Sequence, residues 1–151
     1  MLGFAVADIH REEFVDAPIP AAHVLDGNPV ARSCDLHSSR EGGLSMNLWD
    51  CTAGRFRWHY GSDELVEILE GEVHVTEADG PQHVLRAGDT AHFPGGTSFV
   101  WEVPEYVKKL AIHRAPMTIP DRALMKATRA LARRRDALRR PAAATASGAP
   151  V

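Results

Sequence analysis

Short runs of alternating apolar and polar residues occupy the middle of the chain. Between residues 44 and 114 these runs are broken repeatedly by Gly, Pro and Asp, a pattern typical of an all-β sandwich or barrel. Alternation indicates strands with one buried face, because successive side chains of a strand point to opposite sides. The pattern predicts eight strands, at approximately Leu44–Cys51, Arg55–Tyr60, Leu65–Glu70, Glu72–Glu77, His83–Arg86, Thr90–Phe93, Phe99–Val103 and Tyr106–His113.

The pattern changes on both sides of this region. Residues 1–43 contain several prolines and turn-like stretches and are expected to form an N-terminal arm with one or two short strands. A helix is predicted from Pro120, since proline suits the first helical turn, and Pro141 ends it. We therefore expect a barrel over 44–116, a basic helix over 117–140 and a disordered tail over 141–151.

The predicted helix combines many arginines with leucines at seven-residue spacing, Leu124, Leu131 and Leu138. It could be a basic arm for RNA, an acidic partner or a membrane surface, or a solvated face whose leucines pack on the barrel or on a second subunit. The second interpretation is favoured, because no aromatic residues interleave with the charges. The net charge of −3 over 151 residues gives no case for nucleic acid or an anionic membrane as a partner.

Cysteine use and the N-terminus bear on location. Cys34 and Cys51 are the two cysteines and have no CxxC spacing, so that neither a disulfide framework nor a zinc ribbon is indicated. The N-terminus lacks a basic segment, and its apolar run is too short for a signal peptide or a membrane span. A cytoplasmic location is expected.

Two motifs stand in order within the strand-rich region. In the first, residues 54–71, Glu64 precedes the final glycine of an Ile-Leu-Glu-Gly turn by seven positions; the second, residues 88–96, reads Gly-Asp-Thr-Ala-His-Phe-Pro-Gly-Gly. An Asp-Gly hairpin signal lies between them. Together they resemble the paired motifs of the cupin superfamily, and are most similar to the subfamily grouped with the ureidoglycine aminohydrolase cupin domain. The resemblance implies an all-β fold, a single antiparallel cupin barrel of the RmlC-like jelly-roll type, and a homodimer.

Metal-binding cupins, which these motifs resemble, hold iron, manganese, zinc or nickel with histidines and a glutamate. Here Phe99 stands at the histidine position of the second motif, and a phenyl ring cannot coordinate a metal. In the first motif, counting back from Glu64, one register puts His59 at a histidine position and the other puts Tyr60 there. A divalent metal is therefore disfavoured, and no metal site is predicted.

Alternation favours one of these registers. In the strand that ends at Tyr60, aromatic residues alternate with Arg or His, so that Phe56, Trp58 and Tyr60 share one face. The interior of a small barrel is apolar, and this face is expected to point inward. His59 then points outward; the second-ranked register would keep His59 and Glu64 inside, as in a metal-dependent enzyme. The other histidines are expected on the surface: His74, His83, His92 and His113.

The inward face predicts a pocket for a small molecule, lined by Phe56, Trp58, Tyr60, Phe99 and Trp101. The resemblance adds Glu64 and Lys109, which match recurrent acidic and lysine positions of the subfamily. One hypothesis is an enzyme for a small polar nitrogenous or carboxylated metabolite, with Glu64 as general base and Tyr60 and Lys109 orienting the substrate. Another is a non-catalytic binding or sensing module in which the rings stack on a ligand. The alternative to a functional role for Glu64 and Lys109 is that they form a structural ion pair.

Overall fold

The alternating segments form eight antiparallel strands of one sheet. A computed structural model describes residues 4–10, 13–116 and 119–139 of the chain. A 3-10 turn at Ala21–His23 precedes the second strand. The strands are β1 (Val15–Asp16), β2 (Val24–Gly27), β3 (Ala31–Ser38), β4 (Leu44–Tyr60), β5 (Asp63–Glu77), β6 (Gln82–Arg86), β7 (Thr90–Phe93) and β8 (Thr97–Arg114).

The sheet order is β1-β3-β4-β8-β5-β6, with β2 also paired to β4 and β7 also paired to β5. The last strand, β8, lies between β4 and β5 and pairs with both along most of its length. The hairpin predicted at the Asp-Gly signal is confirmed, since β5 and β6 pair across it. The antiparallel β-barrel predicted from the sequence is confirmed.

Three predicted strand breaks are wrong, because pairs of predicted strands merge into the long strands β4, β5 and β8. In β5 the break was expected at Gly71, which has a φ of 71°. A Cβ atom at this position would lie 1.9 Å from the carbonyl oxygen of Tyr106 on β8, so that the close approach requires glycine. The pairing of β5 with β8 shifts register here. Gly71 therefore bends β5 at a bulge instead of ending it.

The first 43 residues contribute hydrogen-bonded strands to the sheet. β3 pairs with the first half of β4, where Ala31 lies opposite Cys51 and Ser38 lies opposite Ser45. β2 pairs with the second half of β4. Three strands thus precede residue 44, and Ala31 is part of the buried core.

Aromatic rings fill much of the interior of the barrel. Tyr60 and Phe93 stack with ring centroids 4.6 Å apart and an interplanar angle of 5°. Trp49 and Trp101 meet edge to face at 5.9 Å, and Phe56 stacks on Trp101 at 6.3 Å. These contacts place most of the ring surface out of water, which is the main stabilising contribution that aromatic side chains make.

The second half of β4 alternates as the sequence predicted. Phe56 and Tyr60 are buried and Trp58 is partly buried against the core, whereas the Arg and His side chains between them are exposed. The Nδ1 atom of His59 is 3.0 Å from the hydroxyl of Ser98 on β8, in an exposed hydrogen bond. The alternative register that would have kept His59 inside is wrong, because the apolar rings take the inward positions.

The helix α1 (Ile119–Arg139) belongs to the second of two compact units, residues 117–151, and the barrel belongs to the first, residues 1–116. Leu124 and Leu131 are exposed; the predicted tail and the Leu138 side chain lie outside the described residues. The packing proposed for these leucines stays a prediction. No helix in the described part of the chain has the length and apolar character needed to cross a membrane.

Truncation of Phe56 and of Trp58, two neighbouring rings of β4, should lower the free energy of unfolding by different amounts. We expect Phe56→Ala to lower the free energy of unfolding by about 3 to 5 kcal/mol, because Phe56 is fully buried and leaves a cavity. Trp58→Ala should cost less, since Trp58 keeps part of its surface in water. Urea unfolding followed by circular dichroism measures both. A larger loss for Trp58→Ala would contradict this burial order.

Candidate functional site

A buried ion pair lies inside the barrel among the aromatic rings. The ammonium group of Lys109 donates a hydrogen bond of 2.5 Å to Oε1 of Glu64, and both residues are less than 5% exposed. Glu64 is near the start of β5 and Lys109 is in β8, its hydrogen-bonded neighbour. A charge in such surroundings is tolerated only with its partner, because removal from water costs several kcal/mol per ion. The ion pair expected as one alternative is present.

Two indole rings flank the ammonium group. The Nζ atom of Lys109 is 4.7 Å from the ring centroid of Trp101 and 5.1 Å from that of Trp49. The faces of aromatic rings are negative, and cations within about 6 Å are attracted to them. The carboxylate of Glu64 and the two rings therefore hold the ammonium group together.

His113 connects this pair to the surface. Its Nδ1 atom is 3.4 Å from Oε2 of Glu64, and its side chain is 34% exposed. Its Nε2 atom lies 2.9 Å from Oδ1 of Asn47. His113 was expected on the surface; it is partly exposed, and it also contacts the buried pair, which was not expected. Alternation in β8 contained the signal, because positions 109, 111 and 113 share one face of the strand.

Two polar atoms near the ion pair are buried without a partner. The hydroxyl of Tyr60 and the indole N–H of Trp101 have no hydrogen-bond partner among the described residues. Burial raises the pKa of Tyr60 well above its usual value, and the negative charge of Glu64 acts in the same direction; the Trp101 indole opposes them. Tyr60 is therefore protonated at neutral pH and keeps its O–H donor.

The predicted lining residues come together in one cluster. Phe56, Tyr60 and Trp101 are buried, and Trp58 and Phe99 pack on them while remaining partly exposed. The rings are in contact with one another, so that Trp58 and Phe99 form the accessible side of this cluster. A groove of about 320 Å³ elsewhere on the barrel is lined by other residues, among them Leu65 and Leu110.

The residues present do not fit a divalent metal of the kind that the resemblance raised. No group of three or more His, Cys, Asp or Glu side chains suited to a metal occurs within the described ranges. Glu64 already pairs with an organic cation, Lys109. Phe99 packs edge to face on Phe93 at 4.9 Å, and His59 points outward. A second positive ion beside Glu64 would be repelled by the ammonium group.

A second buried carboxylate was missed by the sequence reasoning. Asp50 is 2% exposed and accepts hydrogen bonds from the guanidinium of Arg32, at 3.1 Å from Nε, and from the hydroxyl of Tyr106, at 3.0 Å. Burial and the bond to Asp50 raise the pKa of Tyr106 to about 12. The group joins β3, β4 and β8. An acidic residue within the apolar run Leu48–Cys51 was the signal that could have revealed it.

Comparison with known proteins identifies a family for the central region. Residues 38–111 match the model of the EutQ-like cupin domain. This match covers the last residue of β3, all of β4 to β7 and most of β8, including Tyr60, Glu64 and Lys109. No curated protein matches the chain.

Several solved structures share the fold. The ethanolamine utilization protein Q of Salmonella typhimurium LT2 is 20% identical, with a TM-score of 0.53 over 74% of this chain and 98% of that one. An RmlC-like cupin of Shewanella frigidimarina NCIMB 400 is 16% identical, with a TM-score of 0.55 over 73% of this chain and 89% of that one. A protein of unknown function from Pseudomonas syringae pv. tomato DC3000 is 22% identical and has a TM-score of 0.63; the alignment covers 69% of this chain and 45% of that one.

Removing one member of the ion pair should destabilise the protein more than replacing both members with apolar residues. We expect Glu64→Gln to lower the free energy of unfolding by about 3 kcal/mol or more, because it leaves the Lys109 ammonium buried and uncompensated. The double variant Glu64→Leu with Lys109→Leu should recover much of this loss. Urea unfolding of the wild type, Glu64→Leu, Lys109→Leu and the double variant, alongside Glu64→Gln, measures the coupling.

The control for this cycle is Glu67→Gln, an exposed glutamate on the same strand. Its effect should stay within about 0.5 kcal/mol. Equal losses in Glu64→Gln and in the double variant would show that the pair is not coupled.

Alkaline pH should destabilise the protein in part through Tyr60. Its pKa is raised in the folded state, so that the unfolded chain loses this proton first as the pH rises, and stability falls above about pH 10. Tyr60→Phe should flatten the decline in melting temperature between about pH 9 and 11. Tyr106 contributes a similar decline and remains in that variant. An unchanged alkaline slope in Tyr60→Phe would contradict the burial of the hydroxyl.

Proposed function

We propose that the aromatic interior of this chain, whose residues 38–111 match the model of the EutQ-like cupin domain, binds a small polar metabolite, nitrogenous or carboxylated. The observation that carries the proposal is the Glu64–Lys109 pair, buried between the rings of Trp49 and Trp101. A buried ion pair often adds no stability over apolar residues of similar volume. Oriented charges in an apolar site are, in contrast, what fixes the position of a polar ligand.

Trp58 and Phe99 give the ligand its apolar contacts in this proposal. Both are partly exposed and pack against the buried rings, so that a planar or short aliphatic group can stack on them without unfolding the core. Tyr60 and Lys109 then orient its polar atoms.

A catalytic role for Glu64 is the second candidate, and the His113 contact favours it. A general base needs a route by which its proton leaves, and the partly exposed His113 lies 3.4 Å from Oε2 of Glu64. Against this role, the Glu64 carboxylate is already bonded to Lys109 and in contact with His113, so that a substrate would have to compete with these two groups. Binding is therefore the first candidate and proton abstraction by Glu64 the second.

The subfamily resemblance and the name of one structural neighbour suggest compounds to test. Ureides and ureido acids are included because of the similarity to the ureidoglycine aminohydrolase group. Ethanolamine follows from the name of the Salmonella protein that shares the fold. The homodimer, the cytoplasmic location and the absence of a nucleic-acid partner likewise remain proposals from the sequence.

A thermal-shift screen tests the proposal. The panel contains small carboxylates, ureides, ureido acids and amino alcohols. We expect at least one compound to raise the melting temperature of the full chain by several degrees at about 100 times its Kd, as ligand linkage requires. The shift should be lost in Lys109→Met, compared with that variant's own ligand-free melting temperature.

Glu67→Gln is the matched control and should keep the full shift, since Glu67 is exposed on the same strand as Glu64. Product analysis of each stabilising compound after incubation separates the two candidates. Turnover that Glu64→Gln abolishes would establish catalysis, whereas stabilisation without turnover supports a binding module. No stabilisation by any compound of the panel would refute the proposed site.

A further inference from the structure

The two unpartnered donors beside the ion pair carry information about the ligand. The Tyr60 hydroxyl and the Trp101 indole N–H are buried without a hydrogen-bond partner among the described residues, and their residues are 2% and 1% exposed. Folded proteins leave few such atoms unsatisfied. The indole N–H lies near enough to the Tyr60 hydroxyl to act on it, but the two do not meet in hydrogen-bonding geometry. Each donor therefore still lacks an acceptor, which a ligand or a bound water molecule can supply.

These two atoms belong to one place in the barrel. The charge of Glu64 and the indole of Trp101 both act on the Tyr60 hydroxyl. The ammonium group of Lys109 lies 4.7 Å from the ring of Trp101 and is bonded to Glu64. A group that reaches the hydroxyl thus also lies close to the indole N–H and the ion pair.

The polar atoms that remain available at this place are donors. An indole N–H can only donate, and a protonated tyrosine hydroxyl has a donor to offer. The nearby acceptor is the Glu64 carboxylate, which accepts a hydrogen bond from Lys109 at Oε1 and has the His113 Nδ1 atom 3.4 Å from Oε2. A ligand group that complements these donors therefore contains an acceptor oxygen. An amine offers further donors, which do not complement them.

We propose that Tyr60 and Trp101 bind a carbonyl or carboxylate oxygen of the ligand, so that the site selects small carboxylates and amides over amines. This inference rests on the proposed binding function and narrows its substrate class. Because the Glu64–Lys109 pair has no net charge, the site does not require a charged ligand. The acceptor oxygen, which carboxylates and amides have in common, is then the group that the two donors recognise. Neither of the proposed donors is exposed, so that the oxygen is bound out of water, where a hydrogen bond is strongest.

Nuclear magnetic resonance of the indole N–H groups tests this assignment on the full chain. The protein has three tryptophans, whose indole signals are assigned with single Trp→Phe variants. The probes are sodium acetate, acetamide and methylammonium chloride, each against sodium chloride of the same ionic strength. Acetate and acetamide should shift the Trp101 signal saturably, and methylammonium should not.

Tyr60→Phe should weaken the binding of acetate about tenfold, as expected for the loss of one buried hydrogen bond. It should also raise the melting temperature of the ligand-free protein, because an unsatisfied hydroxyl is removed. Tyr106→Phe is the matched control: the same atom is lost from the only other tyrosine, whose hydroxyl bonds Asp50 instead, and the affinity for acetate should not change.

Three results would overturn the inference while leaving the binding function intact. The first is a Trp101 signal that methylammonium shifts as strongly as acetate does. The second is an acetate affinity that Tyr60→Phe leaves unchanged. The third is a Trp101 signal that no probe moves but that exchanges magnetisation with a bound water, in a protein that the wider thermal-shift panel still stabilises. Failure of that whole panel is the separate result that would remove the binding function itself.

Discussion

Alternation of side chains along β4 and β8 is the constraint on which the interior depends. Each strand has one face that must be covered, and the rings of β4 take that face because the Arg and His side chains between them stay in water. On β8 the same alternation places Trp101 and Lys109 inside. Lysine at such a position needs an anion, and Glu64 on the neighbouring strand supplies it. The aromatic core and the charged pair are therefore consequences of one pattern.

The pair also bears on why the described residues of the barrel do not offer the donor set of a divalent metal. A glutamate facing a barrel interior needs a positive partner, which a metal or an ammonium group can supply. Here Lys109 supplies it at 2.5 Å, and the rings of Trp49 and Trp101 stabilise that cation further. Phe99, at the position of a histidine in the metal-binding pattern, adds an apolar contact to the same interior. The charged groups that face each other in this interior are thus a carboxylate and an ammonium group.

Sequence patterns predicted the faces of the strands better than their ends. The inward aromatic face followed from alternation alone, since exposing three neighbouring rings is unfavourable. The bulge at Gly71 looked like a strand end, because the same residue suits a turn and a close passage of two backbones. The contacts of His113 with Glu64 and of Asp50 with Arg32 were missed. Both depend on the pairing of distant strands, which a local pattern does not contain.

Tyr60 differs from an ordinary core residue in one respect, its buried hydroxyl. Its neighbours in the cluster include Phe93, stacked at 4.6 Å, and Phe99, edge to face at 5.9 Å, so that a phenyl ring suits this environment. The hydroxyl adds a polar atom that burial leaves without a partner, which costs stability on the order of 1 to 3 kcal/mol. Packing alone would therefore favour phenylalanine at this position. In the proposed site, the hydroxyl gains its hydrogen bond when another molecule supplies the acceptor.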